Sequence, residues 1–177
     1  MTALLIIDMQ KSLFETPRHD FNGVVERINT LAEGFRKRGE LVIFIQHNGS
    51  KEEGLFEGSQ GWEIIDELNI SDHDVKVTKT ACDAFYKTGL ESLLTSKGVT
   101  DVLITGAATE FCVDTSLRSC LSKGFNVTAI CDGHTTGNRD HLMAEQIIEH
   151  HNWTWKNLII PSVELSLMSA SEYIKTR

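Results

Sequence analysis

No apolar run in this sequence approaches the roughly 18 residues that a bilayer-spanning helix needs, so a membrane partner is not expected. The start, Met-Thr-Ala-Leu-Leu-Ile-Ile-Asp, has no basic leader and reaches an aspartate after five apolar residues, so no secretory signal is expected either. Positive charge is in deficit. Seventeen Lys and Arg stand against 25 Asp and Glu, giving a net charge of −8 and a pI near 5.3, which argues against a nucleic-acid or anionic-membrane partner. Cysteines are few: Cys82, Cys112, Cys120 and Cys131, at spacings that match no zinc pattern. With no export signal they are expected to be reduced thiols in a cytoplasmic protein. A dinucleotide oxidoreductase is missing its fingerprint, because the turn after the first apolar run reads Asp8-Met9-Gln10-Lys11 and contains no G-x-G-x-x-G. Internal repeats, low-complexity tracts and linker-like breaks are absent as well. Residues 1–177 are therefore expected to form one domain, and 41% hydrophobic content supplies a full core.

What is present is an alternation of short apolar runs and helical patterns. Residues 3–7, 41–45, 75–77, 102–104, 125–131 and 158–160 read as six strands, and the apolar ones lack the in-out alternation of a half-exposed strand. Residues 21–38 carry Val24, Val25, Ile28, Leu31 and Phe35 at helical spacing and close at Gly39. Thr88-Gly-Leu-Glu91 is a capping-box pattern opening a helix to Lys97. Further helices are expected over 62–68, 140–151 and 163–168, and the polar stretch 48–61, with its four glycines, reads as a surface loop. Strands alternating with helices specify a three-layer α/β/α domain around a six-stranded, mostly parallel sheet with right-handed crossovers.

In such a sheet, ligands sit beyond the carboxyl ends of the strands. Three reactive side chains fall there: Asp8 closes the first strand, Lys79 follows the third, and Cys112 follows the fourth, in Asp101-Val-Leu-Ile-Thr-Gly-Ala-Ala-Thr-Glu-Phe-Cys112. Each has an ordinary reading too: a capping carboxylate, a solvated lysine, a small buried hydrophobe. Cys112 opens a helical pattern, where the positive helix end and unpaired N–H groups favour a thiolate. Together the three have the parts for hydrolysing an amide through a thioester. Cys112 attacks the carbonyl carbon, Asp8 carries the proton, Lys79 balances the charge, and the backbone N–H groups of Ala108 and Cys112 receive the oxyanion.

The motifs Leu-Leu-Ile-Ile-Asp-Met-Gln (4–10), Val-Thr-Lys-Thr-Ala-Cys-Asp-Ala-Phe (77–85) and Gly-Ala-Ala-Thr-Glu-Phe-Cys-Val-Asp-Thr-Ser (106–116) resemble those of the isochorismatase-like cysteine hydrolases, which include nicotinamidases and N-carbamoylsarcosine amidases. The resemblance runs over residues 3–160. It implies that Asp8, Lys79 and Cys112 form the catalytic group and that the Ala107–Ala108 peptide is cis. It also implies a homo-oligomer, a dimer or tetramer. The substrate is expected to be a small molecule, with Gln10, Phe14, Trp62, Phe85 and His134 as candidate contacts; the aromatics have a core reading and His134 a loop reading besides.

Nicotinamidases carry an Asp-x-His pair after the second strand to hold a divalent ion. Here that stretch is Ile45-Gln46-His47-Asn48, and Asp132-x-His134 and Asp140-His141 have no evident partners. No metal and no cofactor are expected. Asp83 stands where relatives commonly have Ser, and an extra acid near the mouth is expected to favour a cationic or amine-bearing substrate. The competing readings are an isochorismatase-type vinyl-ether hydrolase, which needs acid catalysis and no thiol, and a non-catalytic small-molecule-binding member of the fold.

Overall fold

Six strands form one sheet in the computed structural model, which describes all 177 residues. They are β1 (Thr2–Ile7), β2 (Leu41–His47), β3 (Val75–Lys79), β4 (Asp101–Ala107), β5 (Asn126–Thr135) and β6 (Leu165–Met168). The order across the sheet is β3-β2-β1-β4-β5-β6, and every pairing is parallel. Five helices cover the sheet: α1 (Phe21–Lys37), α2 (Leu90–Ser96), α3 (Asp114–Ser122), α4 (Ala144–Lys156) and α5 (Ala170–Lys175).

The apolar strands lack an alternating pattern because both faces are covered. Successive side chains of a strand point to opposite faces. Ala3, Leu5 and Ile7 of β1 accordingly join a core with Leu90 and Leu94 of α2, Leu117 of α3 and Trp155 of α4. Leu4 and Ile6 join a second core with Ile28, Leu31 and Phe35 of α1 and Tyr173 of α5. The hydrophobic stripe of α1 is the one its periodicity predicts.

Four expected elements differ. The sixth strand is Leu165–Met168, where a helix was expected, and residues 158–160 are not a strand. Pro161 offers no N–H to a ladder, the chain turns at Ser162 (φ 78°), and Ile159 is 91% exposed. The open edge of β5 is taken instead by β6, in the register Val127–Leu165 to Ile130–Met168. Residues 62–68 are not a helix: a 3-10 turn at Gln60–Trp62 is followed by a bridge from Ile64 to Gln10 and a turn in which Leu68 N–H bonds the Ile65 carbonyl. Their backbone bonds go to the exit of β1, Lys11 N–H to the Glu63 carbonyl and Ile65 N–H to the Met9 carbonyl. Helix α4 starts at Ala144, after an antiparallel bridge between Arg139 and Leu142, where the Asn138 side chain accepts the Ala144 N–H. The capping box at Thr88 does not close: Glu91 pairs with Lys123, and Thr88 Oγ1 donates to the Ala84 carbonyl. A closed box does open α5, through Ser169 and Glu172.

Candidate active site

Asp8 is the first residue past β1 and 1% exposed, with its N–H bonded to the Ile45 carbonyl. Its φ of 49° lies in the left-handed region, which Asp tolerates better than most side chains. Lys79 ends β3, which lies two strand spacings, roughly 10 Å, from β1 in the sheet order. A long side chain is needed to cross that gap. Its stem is wholly buried, and its ammonium donates to Asp8 Oδ2 at 2.7 Å, to the Ala81 carbonyl at 3.0 Å and to Cys112 Sγ at 3.2 Å. His47 Nδ1, at the end of β2, is a fourth and longer contact at 3.4 Å.

Cys112 reaches this cluster through β4. Gly106 has φ +114° and packs so tightly on β1 that a Cβ would stand 2.2 Å from the Ile7 carbonyl oxygen. Only glycine permits that approach. The Ala107–Ala108 peptide that follows is cis, and Thr109–Val113 makes one π turn before α3 begins. The Ala108 N–H donates to no group of the protein. His134 braces the turn. Asn152 Nδ2 donates to the Cys131 carbonyl at 2.9 Å, so its Oδ1 faces His134 Nε2 as an acceptor at 3.0 Å. His134 therefore carries its proton on Nε2, and Nδ1 accepts from the Thr109 hydroxyl at 2.8 Å. Burial holds the His134 imidazole neutral, with a pKa pulled down to about 4.

The pull of the helix end toward a thiolate is opposed here. Burial first, then the negative charge of Asp8, push the Cys112 thiol well above its ordinary pKa, against the pull of Lys79. Desolvation and a carboxylate neighbour outweigh the helix end, and Cys112 sits in the π turn that precedes the first turn of α3. Burial also raises the Asp8 carboxyl, with Lys79 opposing. Burial alone would lower Lys79, but the charges of Asp8 and Cys112 hold its pKa up. Thiol and carboxyl are thus both shifted toward holding their protons, and the ammonium between them stays charged. Asp8 Oδ1 is buried and has no partner.

A cavity of about 310 Å³ opens over this group, floored by Asp8, Ala107, Ala108 and Cys112. Its wall is not the one expected. Leu13, Leu55, Phe111, Arg18 and Arg139 line it, with His47 at the β2 end. None of Gln10, Phe14, Trp62, Phe85 and His134 is among the lining residues. Gln10 is fully buried and stitches β1 to β2, donating to the His47 and Trp62 carbonyls at 2.9 and 3.0 Å and accepting the His47 N–H at 2.7 Å. Phe14 packs at a tilt against Phe21, Phe85 stacks on Phe125 in the core, and Trp62 lends its carbonyl to Gln10 and Gln46. Asp83 is not at the mouth, because its carboxylate accepts from Phe85 N–H and Ser119 Oγ.

No group of three or more His, Cys, Asp or Glu side chains is arranged to hold a metal ion. His47 faces the Lys79 ammonium at 3.4 Å, which would repel a cation, so these residues do not fit the divalent ion of nicotinamidases.

The family model of the Isochorismatase domain matches residues 2–151. This chain belongs to the isochorismatase family. An uncharacterised isochorismatase family protein of Bacillus subtilis, YrdC, is 35% identical over 142 residues, 78% of this chain and 76% of that protein. Two Arabidopsis thaliana relatives are a probable inactive nicotinamidase, 32% identical over 74% of this chain and 79% of its own, and Nicotinamidase 3, 29% identical over 79% and 76%. A crystal structure of an isochorismatase family protein superposes with a TM-score of 0.85 at 33% identity, covering 95% of this chain and 98% of the other. The molecule is an isochorismatase-family hydrolase, and no helix in it is long and apolar enough to cross a membrane.

Proposed function

We propose that this hydrolase cleaves a C–N amide-type bond of a small molecule through a Cys112 thioester. One observation carries the reading: a single buried ammonium, Lys79, touches both the Asp8 carboxylate at 2.7 Å and the Cys112 sulfur at 3.2 Å. As Sγ bonds to the carbonyl carbon, its proton passes to Asp8, and Lys79 stays in contact with whichever partner bears the charge. The oxyanion is received by the backbone N–H groups of Ala108 and Cys112. When the C–N bond breaks, Asp8 gives the proton to the departing nitrogen. Asp8 then takes a proton from water as the water oxygen bonds to the thioester carbon, and the proton returns to sulfur as the C–S bond breaks. A raised carboxyl holds the proton more readily than an ordinary one, which suits this double duty. Nicotinamidase 3 among the relatives supports the amide class.

The test is ammonia release across a panel of small amides, ureas and carbamoyl amines. Cys112→Ala is expected to lose at least about a thousandfold in turnover while keeping its melting temperature. Full activity in that variant ends the reading. A vinyl-ether substrate that Cys112→Ala still cleaves would establish the acid-catalysed alternative.

A further inference from the structure

The wall of the cavity carries an imbalance that the floor does not. On the floor Lys79 answers Asp8. On the wall, Arg18 and Arg139 both line the cavity, and one carboxylate serves them. Arg139 Nε donates to Glu110 Oε1 at 2.8 Å, and its Nη2 bonds the Thr136 hydroxyl at 3.1 Å. Arg18 has no carboxylate partner. Its Nε and Nη2 both donate to the Leu13 carbonyl, at 2.8 and 2.6 Å, which fixes the plane of the guanidinium and leaves Nη1 unengaged. Burial, then the charge of Arg139, depress its pKa, against the smaller opposing pull of Glu110. A half-buried cation beside another cation is an unfavourable arrangement, and an anion between them relieves it. The acid that also lines the cavity, Glu53, is exposed and accepts the Ser50 N–H at 2.8 Å in its own loop, so water screens its charge.

We infer that Arg18, with Arg139 behind it, is a carboxylate-binding subsite, and that the substrate is a small amide or ureide bearing a carboxylate away from the scissile carbonyl. This rests on the amidase reading for the reaction, but the subsite itself stands on the two guanidiniums. A cavity of about 310 Å³ limits the substrate to a small molecule. Arg139 lies over the Phe111 ring at 5.4 Å, next in sequence to Cys112, so the bound carboxylate and the reacting carbon occupy one cavity. The fork of Arg18 is pre-oriented by Leu13, so little ordering cost remains for an anion.

The experiment compares the monoamide of succinic acid with its methyl ester, two amides of the same chain length that differ in charge, and uses succinate as a non-hydrolysable probe in calorimetry. In the wild type, kcat/KM for the acid is expected to exceed that for the ester by about tenfold or more. In Arg18→Gln the ratio should fall toward one, and succinate should bind about tenfold more weakly. Succinate binding should persist in Cys112→Ala. Equal kcat/KM for acid and ester in the wild type overturns the subsite without any variant. So does a preference that survives Arg18→Gln. Because Arg18 also anchors Leu13, Arg18→Lys is measured with melting curves. It should retain more succinate binding than Arg18→Gln, and equal loss in the two at unchanged melting temperature counts against the inference. Succinate binding without turnover of any amide would sink the amidase reading and keep the subsite, whereas amide turnover with no preference for the acid would do the reverse.

Discussion

The floor and the wall of the cavity are built by different means. The floor is delivered by strand ends: Asp8 from β1, Lys79 from β3, and Cys112 from the turn after β4. Its ionisable side chains are buried among each other, so their positions belong to the sheet and their protonation is set by mutual charge and desolvation. The wall is delivered by loops. Leu13 and Arg18 follow β1, Leu55 sits in the 48–61 stretch, and Arg139 follows β5. Phe111 on that wall is half exposed. On the proposed reading, chemistry is tied to the sheet, while choice of substrate is carried by segments that can change without disturbing it.

If this contrast is right, substitutions at Gly106 and in the buried Asp8–Lys79 pair should cost stability, and wall substitutions should cost affinity. The largest effect is expected at Gly106. Gly106→Ala drives a Cβ against the Ile7 carbonyl at a φ no L-residue favours, and should destabilise by more than about 4 kcal/mol, read as insoluble or largely unfolded protein. Lys79→Met leaves the buried Asp8 carboxylate without its partner and should cost about 3–5 kcal/mol in urea unfolding, with turnover lost. A melt within about 1 kcal/mol of wild type would break the comparison, because the floor would then not be coupled to folding.

Next in size is a pH effect at His134, which braces the π turn. Its folded pKa is near 4, whereas the unfolded imidazole titrates near 6.5. Between those values the unfolded chain binds the extra proton, so stability falls as pH drops through that window, by about 3 kcal/mol at most. His134→Gln should flatten this part of the stability–pH curve, and an unchanged slope between pH 7 and 4.5 would contradict the assignment. The smallest stability effect belongs to the wall. Phe111→Ala should leave the unfolding free energy within about 0.5 kcal/mol of wild type while raising KM severalfold, and a large loss of stability there would erase the distinction.

The same division explains what the sequence could reveal. That Asp8, Lys79 and Cys112 meet was legible because each stands at or after the end of an apolar run, and a parallel sheet carries all such ends to one edge. The wall was not legible by that rule alone. Phe14, Trp62 and Phe85 were picked for being aromatic near the edge, yet a strand-exit loop can turn a ring inward, and in all three the ring or its backbone serves packing or hydrogen bonding. Arg18 and Arg139 follow β1 and β5, so the strand-end rule applied to cations would have found them. Asp83 misled because the carboxylate of a turn residue can be used up locally, here by Phe85 N–H and Ser119. In the fold, residues 158–160 imitated a strand because three apolar residues beside a proline carry too little pattern to tell an extended loop from a ladder.

Strand β1 has a neighbour on each side and almost no exposed surface along its whole length. Its amides should be among the slowest in the molecule to exchange with deuterium, opening only when the entire domain opens. On heating, loss of turnover and loss of the far-ultraviolet signal should then share one midpoint, since the part of the protein that holds the acid is the last to let go.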